Sequence, residues 1–284
     1  MRWLSHAAAA SLLLAACSPA HPARPPESAG ARPTAPTLVR VVARDFAFDS
    51  SHTAPAGLLA IRLVNQGHAI HMLGIARLDS AKTLGDVVRA LHGDAPIPWL
   101  HELGGPGVVS PGDSATAYLV LEPGTYSMIC WWPDSAGTMH VMMGMMATLT
   151  VTGRDAGAPV PPPADVYVRE SDYHIAMPDT LAAGRHVFTV ANDGPHEHDL
   201  AIFRLRPGRT ESQVEAWLAA PTLSAPPAEA VGGTVGQERW SHVEFDADLE
   251  PGRYLFLCLM EDATSPKPHY LRGMIRRVTV TAGR

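Results

Sequence analysis

Short segments in which apolar and polar residues alternate recur along the chain, and this period of two predicts β-strands. Residues 38–48 alternate from Val39 to Phe48, and residues 166–175 repeat the pattern. Further apolar or β-branched runs predict strands at 58–64, 71–78, 118–121, 126–130, 147–151, 186–190, 198–205, 243–245, 254–258 and 277–280. Short strands at this spacing in each half of the chain are typical of a β-sandwich.

Each half also contains one segment with helical periodicity. The first begins at Thr83 and places Val87 and Leu91 on one apolar face. The second begins at Thr210, where Gln213 three residues later completes a capping box. We therefore expect an all-β fold with one short helix in each half.

The second half of the chain repeats the first. Residues 65–78 (NQGHAIHMLGIARL) match 192–205 (NDGPHEHDLAIFRL) without a gap, and residues 121–130 match 249–258. Matched positions are offset by 127 to 129 residues, which is the size of a domain rather than of a solenoid repeat. The sequence therefore predicts two tandem β-sandwich domains.

Two proline-rich stretches flank the first of these domains and are expected to act as a flexible tether and a stiff linker. The predicted organisation is a lipoprotein signal peptide at 1–17, a disordered Pro/Ala-rich tether at 18–37, a first domain at 38–152, a Pro-rich linker at 153–164 and a second domain at 165–284.

The N-terminus has the features of an export signal. Arg2 precedes a short apolar run over residues 7–16 that is too short to span a bilayer. The run ends in Leu14-Ala15-Ala16-Cys17, which resembles the lipobox of bacterial lipoproteins. This resemblance implies export and lipidation of Cys17, and Ser18 is similar to the pattern sorted to the outer membrane in Gram-negative bacteria. An ordinary signal peptide with a coincidental cysteine is the alternative.

The composition narrows the choice of partners. Charged residues make up 18% of the chain and the net charge is −6, which argues against a nucleic-acid partner and permits docking to a basic redox protein. The 26 prolines and 24 glycines among 284 residues suit a turn-rich β protein. No long apolar segment follows the N-terminal one, so we expect membrane attachment through the lipid anchor alone.

Each repeat carries one complete set of ligands for a soft metal ion. With Cys17 assigned to lipid, one cysteine remains per repeat, and it has no partner for a disulfide within its own domain. A metal thiolate explains such a cysteine in an exported protein, and a disulfide between the repeats is the alternative. Two histidines, one cysteine and a weak axial methionine form a mononuclear blue-copper site. The candidate copper ligands are His71, Cys130, His140 and Met145 in the first repeat and His198, Cys258, His269 and Met274 in the second.

The motifs around these residues resemble those of cupredoxins, in particular plastocyanin and pseudoazurin. They are Asn-x-Gly before the first histidine, Pro-Gly-x-Tyr-x-x-x-Cys, and His-x4-Met ahead of the last strand. The resemblance covers residues 38–152 and 165–281, and it implies two Greek-key β-sandwiches that bind copper through the ligands named above.

The chain departs from the cupredoxin pattern in the loop between the cysteine and the second histidine. This loop has nine residues in the first repeat and ten in the second, whereas familiar cupredoxins have only a few. A longer loop adds little closure entropy and does not prevent the ligands from meeting. Copper binding by fewer ligands and a metal-free fold of this type therefore stay open.

Other residues near the candidate ligands have simpler interpretations. Six methionines lie near the first site in the sequence: Met128, Met139, Met142, Met143, Met145 and Met146. Apolar packing is favoured over a Cu(I)-binding role for these residues. Trp131 and Trp132 are also expected to pack. His196-Glu197-His198 resembles the His-x-His pairs of multicopper oxidases, but Ile129 and Leu257 replace the histidine that those enzymes place before the cysteine. Multicopper oxidase and nitrite reductase activities are therefore disfavoured.

We expect an exported single-electron carrier rather than an enzyme. The expected partner of this carrier is a redox or copper-trafficking protein. The alternatives are a Cu(I)-binding or delivery protein without redox cycling, and a metal-free interaction module. Methionine and tryptophan surround the first site, whereas Glu261, Asp262, Lys267 and Arg272 lie beside the second. Apolar surroundings disfavour the more highly charged Cu(II), so the first site is predicted to have the higher reduction potential.

Overall fold

Each repeat is built from β-sheets whose apolar faces meet in a common core. The computed structural model describes residues 35–79, 81–93, 97–153, 160–220, 225–262 and 265–283. Within these ranges, the predicted all-β fold with one short helix per repeat is confirmed. The predicted signal peptide with Cys17, most of the predicted tether and half of the predicted linker lie outside the described residues.

The strands of the first repeat precede the linker, and three of them, at 53–55, 100–102 and 106–109, were not predicted. Their bounds are β1 (Thr37–Arg44), β2 (Ala47–Asp49), β3 (Thr53–Pro55), β4 (Gly57–Asn65), β5 (Gly74–Leu78), β6 (Leu100–Glu102), β7 (Pro106–Val109), β8 (Ser114–Leu121), β9 (Gly124–Ile129) and β10 (Met146–Thr152).

The strands of the second repeat follow the same order, with a small additional hairpin near the end. Their bounds are β11 (Val166–Ser171), β12 (His174–Ala176), β13 (Thr180–Ala182), β14 (Gly184–Asn192), β15 (His198–Leu205), β16 (Ala228–Gln237), β17 (His242–Leu249), β18 (Gly252–Leu257), β19 (Glu261–Asp262), β20 (Ser265–Pro268) and β21 (Ile275–Thr281).

Sheets run continuously from one repeat into the other. Strands β8 and β17 pair antiparallel, which joins four strands from each repeat in the order β12-β11-β14-β17-β8-β4-β1-β2. Strand β7 pairs with β16 and extends the sheet β13-β21-β18-β15-β16 of the second repeat to six strands, while β3-β10-β9-β5-β6 forms a separate sheet. Both repeats therefore lie in one compact unit and are held together by backbone hydrogen bonds as well as by the linker.

Each helix begins at the predicted threonine. Helix α1 (Leu84–Ala90) is capped by Thr83 and α2 (Glu211–Ala219) by Thr210, whose predicted capping box with Gln213 is present. A second capping box, between Thr83 and Asp86, was not predicted. None of the helices in the described ranges is long and apolar enough to cross a membrane.

Two predicted long strands are interrupted by a tight turn. The run at 38–48 divides into β1 and β2 at Phe46, whose φ of 65° is left-handed, and the run at 166–175 divides into β11 and β12 at Tyr173, with φ of 61°. The alternating pattern continues across both turns and therefore hides them. Each turn also contains an aspartate, Asp45 or Asp172, and this places a carboxylate beside the candidate metal ligands.

A repeated Gly-Gly pair lets the backbone pass close to the strand that follows the first candidate histidine. Gly105 has φ of 143°, and a Cβ on it would lie 2.1 Å from the carbonyl oxygen of Leu73. Gly233 has φ of 111°, and a Cβ on it would lie 1.7 Å from the carbonyl oxygen of Leu200. Only glycine fits at these two contacts, which explains why the pair recurs.

Candidate metal centres

A buried asparagine shapes the turn before the first histidine in each repeat. The Asn65 side chain accepts a hydrogen bond from Gly67 N (2.9 Å) and donates to the carbonyl oxygens of Ala69 and Val109. His71 then exchanges backbone hydrogen bonds with Val109, which fixes its position. The Asn-x-Gly motif therefore acts by positioning the histidine, not by binding metal.

The same device is present in the second repeat. Asn192 accepts a hydrogen bond from Gly194 N (2.9 Å) and donates to the carbonyl oxygens of His196 and Gln237. His198 pairs with Gln237 at the start of β15. The predicted equivalence of the two turns therefore holds in their hydrogen bonds.

The second histidine is brought back to the cysteine by backbone hydrogen bonds across the long loop. Cys130 follows β9, and its backbone N–H donates to Met145 O while its carbonyl accepts from Val141 N. His140 N donates to Trp132 O (2.8 Å) and His140 O accepts from Met145 N (3.0 Å). His140 opens a short 3₁₀ turn, so the loop closes in spite of its nine residues.

The second repeat reproduces this closure with a longer loop. Cys258 N donates to Met274 O, and His269 N donates to Met260 O (2.8 Å). Strands β19 and β20 form a hairpin inside the loop, and His269 opens a 3₁₀ turn as its counterpart does. The paired strands of this loop thus end directly before His269 and bring it back to Cys258.

In the first repeat, these elements bring two imidazoles and one thiol together. His71 Nδ1 and His140 Nδ1 are 3.1 Å apart, and Cys130 Sγ lies 3.5 Å from His140 Nδ1 and 3.9 Å from His71 Nδ1. A point equidistant from the three atoms is about 2 Å from each, close to the length of a bond from a first-row metal ion to nitrogen. The side chains therefore fit one small metal ion.

The second repeat forms an almost identical triangle. His198 Nδ1 and His269 Nδ1 are 3.1 Å apart, and Cys258 Sγ lies 3.4 Å from His269 Nδ1 and 3.9 Å from His198 Nδ1. Within the described ranges, these two groups are the clusters of histidine, cysteine and carboxylate side chains close enough to hold an ion. Neither Cys130 nor Cys258 forms a disulfide.

Burial favours the uncharged form of the donor groups, which is the neutral imidazole for the histidines and the protonated thiol for Cys130. It lowers the pKa of His140 to about 4, aided by His71, and lowers the pKa of His198 to about 4, aided by His269. Neutral imidazole is the form that binds metal. Burial raises the pKa of the Cys130 thiol to about 12, so a metal ion would have to displace its proton.

The predicted methionine ligands are also buried beside these groups. Met145 and Met274 are each 0% exposed and exchange backbone hydrogen bonds with the cysteine and the second histidine of their own repeat. Their backbone position is therefore compatible with the predicted role of a weak axial ligand.

The aspartate of each tight turn contacts the first histidine, and the sequence did not reveal this. Asp45 Oδ1 accepts a hydrogen bond from His71 Nε2 (3.2 Å), and Asp172 Oδ1 lies 3.4 Å from His198 Nε2. A carboxylate on Nε2 leaves Nδ1 free to bind a metal and fixes the ring orientation. Burial alone would raise the pKa of Asp45, but hydrogen bonds from His68 and from the backbone hold this pKa below its usual range.

The second histidine has different neighbours in the two repeats. The Phe46 ring meets the His140 ring edge-on at 5.2 Å, and the Tyr173 ring meets the His269 ring in the same way at 5.5 Å. In the second repeat, a carboxylate links the two rings: Asp262 accepts hydrogen bonds from His269 Nε2 and from the Tyr173 hydroxyl, both at 2.8 Å. Arg272 pairs with the same carboxylate.

The surroundings of the two cysteines differ even more. In the second repeat, Asp199 and Glu170 are buried close enough to raise the pKa of Cys258 further, after burial itself. The Asp199 backbone N–H donates to Cys258 Sγ at 3.4 Å. Met72 and Ala43 stand at the corresponding positions of the first repeat and are also buried. The second site thus has two buried carboxyl groups that the first lacks.

The aromatic and methionine residues near the first site serve mainly in packing, as predicted. Trp132 is 6% exposed and packs against Phe203 and Trp217 of the second repeat, with ring centroids 6.2 and 6.0 Å away. Three of the methionines join a separate apolar cluster around the helix α1 residue Val87: Met139, Met142 and Met146.

No family model matches this sequence, and no curated protein matches it. Among solved structures, the chain is similar to a dithionite-reduced auracyanin from Roseiflexus castenholzii, at 21% identity over 42% of this chain and 100% of that one, with a TM-score of 0.32. It is also similar to auracyanin A from Chloroflexus aurantiacus, described as a "blue" copper protein, at 18% identity over 41% of this chain and 99% of that one, with a TM-score of 0.31. A blue copper oxidase from Nitrosomonas europaea matches 87% of this chain and 86% of its own at 13% identity, with a TM-score of 0.25.

Proposed function

We propose that each repeat binds one copper ion through its His-Cys-His group, and that the chain carries single electrons. The observation that supports this best is the pair of preformed donor triangles, each with two imidazole nitrogens and one sulfur around a point about 2 Å from all three. Mixed imidazole and thiolate donors with a methionine nearby suit copper better than harder ions.

Copper bound in this way supplies a one-electron couple between Cu(I) and Cu(II). The residues of the chain contribute rigidity: hydrogen bonds from the Asn65 and Asn192 side chains to the backbone, and the 3₁₀ turns that begin at the buried second histidines, limit the movement of the ligands. Little movement of ligands between the two oxidation states favours rapid electron exchange. A redox or copper-trafficking protein is the proposed partner, and the chain is proposed to act as a carrier rather than as an enzyme.

Copper analysis of the reconstituted protein, combined with a visible spectrum after oxidation, tests the proposal. Two copper ions per chain with intense Cu(II)–thiolate absorption are expected. Two ions that stay colourless under oxidant would instead identify a Cu(I)-binding or delivery protein. Copper content near zero after reconstitution would identify a metal-free fold and overturn the ligand assignment.

We also propose that the protein is exported and attached to a membrane through lipid on Cys17, facing the periplasm. The lipobox-like Leu14-Ala15-Ala16-Cys17 supports this, because more than one acyl chain gives stable attachment. Fractionation of cells that express Cys17→Ala should find the protein released from the membrane or mislocalised. Unchanged membrane association of that variant would refute the anchor.

A further inference from the structure

A cavity of about 570 Å³ lies between the two repeats and reaches the second His-Cys-His group. The first repeat contributes His101 and Pro98 to its lining, and the second repeat contributes the ring of His269 itself. We call this cavity the crevice. The crevice thus borders one of the proposed ligands.

The crevice is rich in oxygen and nitrogen donors. The imidazoles of His101 and His196, which belong to neither donor triangle, line the crevice together with the guanidinium of Arg239. Four carboxylates also line it: Glu197, Glu238, Glu261 and Asp262. Asp262, whose side chain is 9% exposed, reaches from the crevice to His269 Nε2 at 2.8 Å. Nitrogen and oxygen donors of this kind suit Cu(II).

Glu102 lies close to the same carboxylates. Burial raises the pKa of Glu102 to about 8, and the charges of Glu197, Asp199 and Glu238 contribute to the rise. His101 of the first repeat lies 3.3 Å from Glu238 of the second repeat and 2.9 Å from Asp79 of its own, so polar side chains of the two repeats meet here.

The first repeat has no corresponding set of charges. By the offset of the repeat, Ile70 stands in place of Glu197, Ser110 in place of Glu238, and Pro133 in place of Glu261. Asp134 corresponds to Asp262, but its carboxylate accepts hydrogen bonds from the backbone of its own loop. The feature therefore distinguishes the second site from the first.

We propose that the crevice captures a Cu(II) ion from solution and passes it to His269, so that the second site is loaded faster than the first. This inference rests on the proposed function. A cleft lined by charges of one sign concentrates counter-ions and raises their association rate by roughly 10- to 1,000-fold, an effect that salt suppresses. The first site lacks these charges at the corresponding positions and serves as an internal reference.

The test follows the growth of Cu(II)–thiolate absorption after the metal-free protein is mixed with copper(II) sulfate at low ionic strength. The two sites are observed separately in the Cys130→Ser and Cys258→Ser backgrounds. Glu197→Gln combined with Glu261→Gln removes two crevice charges and leaves both donor triangles intact. A matched control, Glu122→Gln combined with Glu250→Gln, removes two exposed charges from the Glu-Pro-Gly turns.

Loading of the second site is expected to slow by about tenfold in the crevice variant at low salt, with the rate at the first site and the final colour unchanged. The difference should disappear at high salt, where exposed charges are screened. An unchanged loading rate at the second site, or an equal slowing in the control variant, would overturn the crevice proposal while leaving copper binding in place. Failure of every variant to develop colour would overturn the proposed function, and the crevice proposal with it.

Discussion

The two His-Cys-His groups are alike in the atoms that face a metal ion and unlike in the residues behind them. The donor distances are 3.1, 3.5 and 3.9 Å in the first repeat and 3.1, 3.4 and 3.9 Å in the second. Behind Cys258 lie Asp199 and Glu170, where the first repeat has Met72 and Ala43. The geometry is set by backbone hydrogen bonds that both repeats share, whereas the local electrostatics depend on side chains that can differ without moving a ligand. Two centres of one shape are thus expected to differ in affinity, potential and stability.

The largest expected effect is the loss of one centre without the other. Cys130→Ser removes the thiolate from the first triangle and should reduce copper content from two ions per chain to about one, because the second triangle is built from separate residues. Cys258→Ser should remove the other ion. Metal analysis with visible spectra checks both variants. Loss of both ions from either single variant would show that the centres depend on each other.

A smaller effect is expected from the carboxylate that only the second histidine of the second repeat possesses. Asp262→Asn should weaken copper binding at the second site by roughly 10- to 100-fold, because a carboxylate on Nε2 orients the ring and raises its basicity. Competition with a copper chelator measures the change. Asp134→Asn is the matched control in the first repeat, where the carboxylate binds its own loop instead of His140. An equal loss in both variants would remove this difference between the sites.

The metal ligands of both sites could be predicted from the sequence, and the contacts that were missed were missed for physical reasons. The ligands could be predicted because the duplication places the same residue types at nearly constant offsets. Asp45 and Asp172 were missed because each lies far upstream of its histidine, inside a segment whose alternation reads as one strand. Their equal offset within the repeat was the available signal.

Other features of the structure have a weak signal in the sequence or none. Glu170 occupies an inward position of β11, after Val166 and Val168, and a charged residue in that phase signals a special site. Pairing of β7 with β16 was not predictable, because the two segments are glycine-containing and the contact joins different repeats. The sequence therefore described each repeat well and the contacts between repeats poorly.

The potential of the second site should respond to the carboxyl group next to Cys258. Asp199→Met, which introduces the residue found at the corresponding position of the first repeat, should raise this potential by roughly 60 mV or more, equivalent to about tenfold in a one-electron equilibrium. Removal of a negative charge destabilises Cu(II) more than Cu(I). Spectroelectrochemistry at pH 8 measures the shift, since burial raises the pKa of Asp199 to about 6. Met72→Asp in the first repeat should act in the opposite direction, and a shift of the same sign in both variants would contradict this explanation.

The smallest effect concerns stability. Both carboxyl oxygens of Glu170 are buried without a hydrogen-bond partner, and burial, followed by the charge of Asp199, raises its pKa well above 4.5. Because the unfolded chain loses this proton first, the metal-free protein should lose stability as the pH rises above about 4.5 towards the raised pKa.

Glu170→Gln removes the ionisation and should flatten this dependence, with a melting temperature roughly 2–6 °C higher than that of the parent protein at pH 8. The advantage should shrink as the pH falls below 4.5, where the parent carboxyl is protonated in both the folded and the unfolded state. Thermal unfolding across this pH range, with the exposed Glu122→Gln as a control, checks the prediction. A parallel pH dependence for Glu170→Gln and the parent protein would contradict it.

The main proposal for this chain is a pair of copper centres with equal geometry and unequal potential. An electrochemical titration of the full-length copper-loaded protein, with each wave assigned through the Cys130→Ser and Cys258→Ser variants, tests it most directly. Two one-electron waves are expected, and the first site should have the higher potential because Met72 and Ala43 replace the buried carboxyl groups beside Cys258. A single wave with equal potentials in both variants, or a higher potential at the second site, would contradict it.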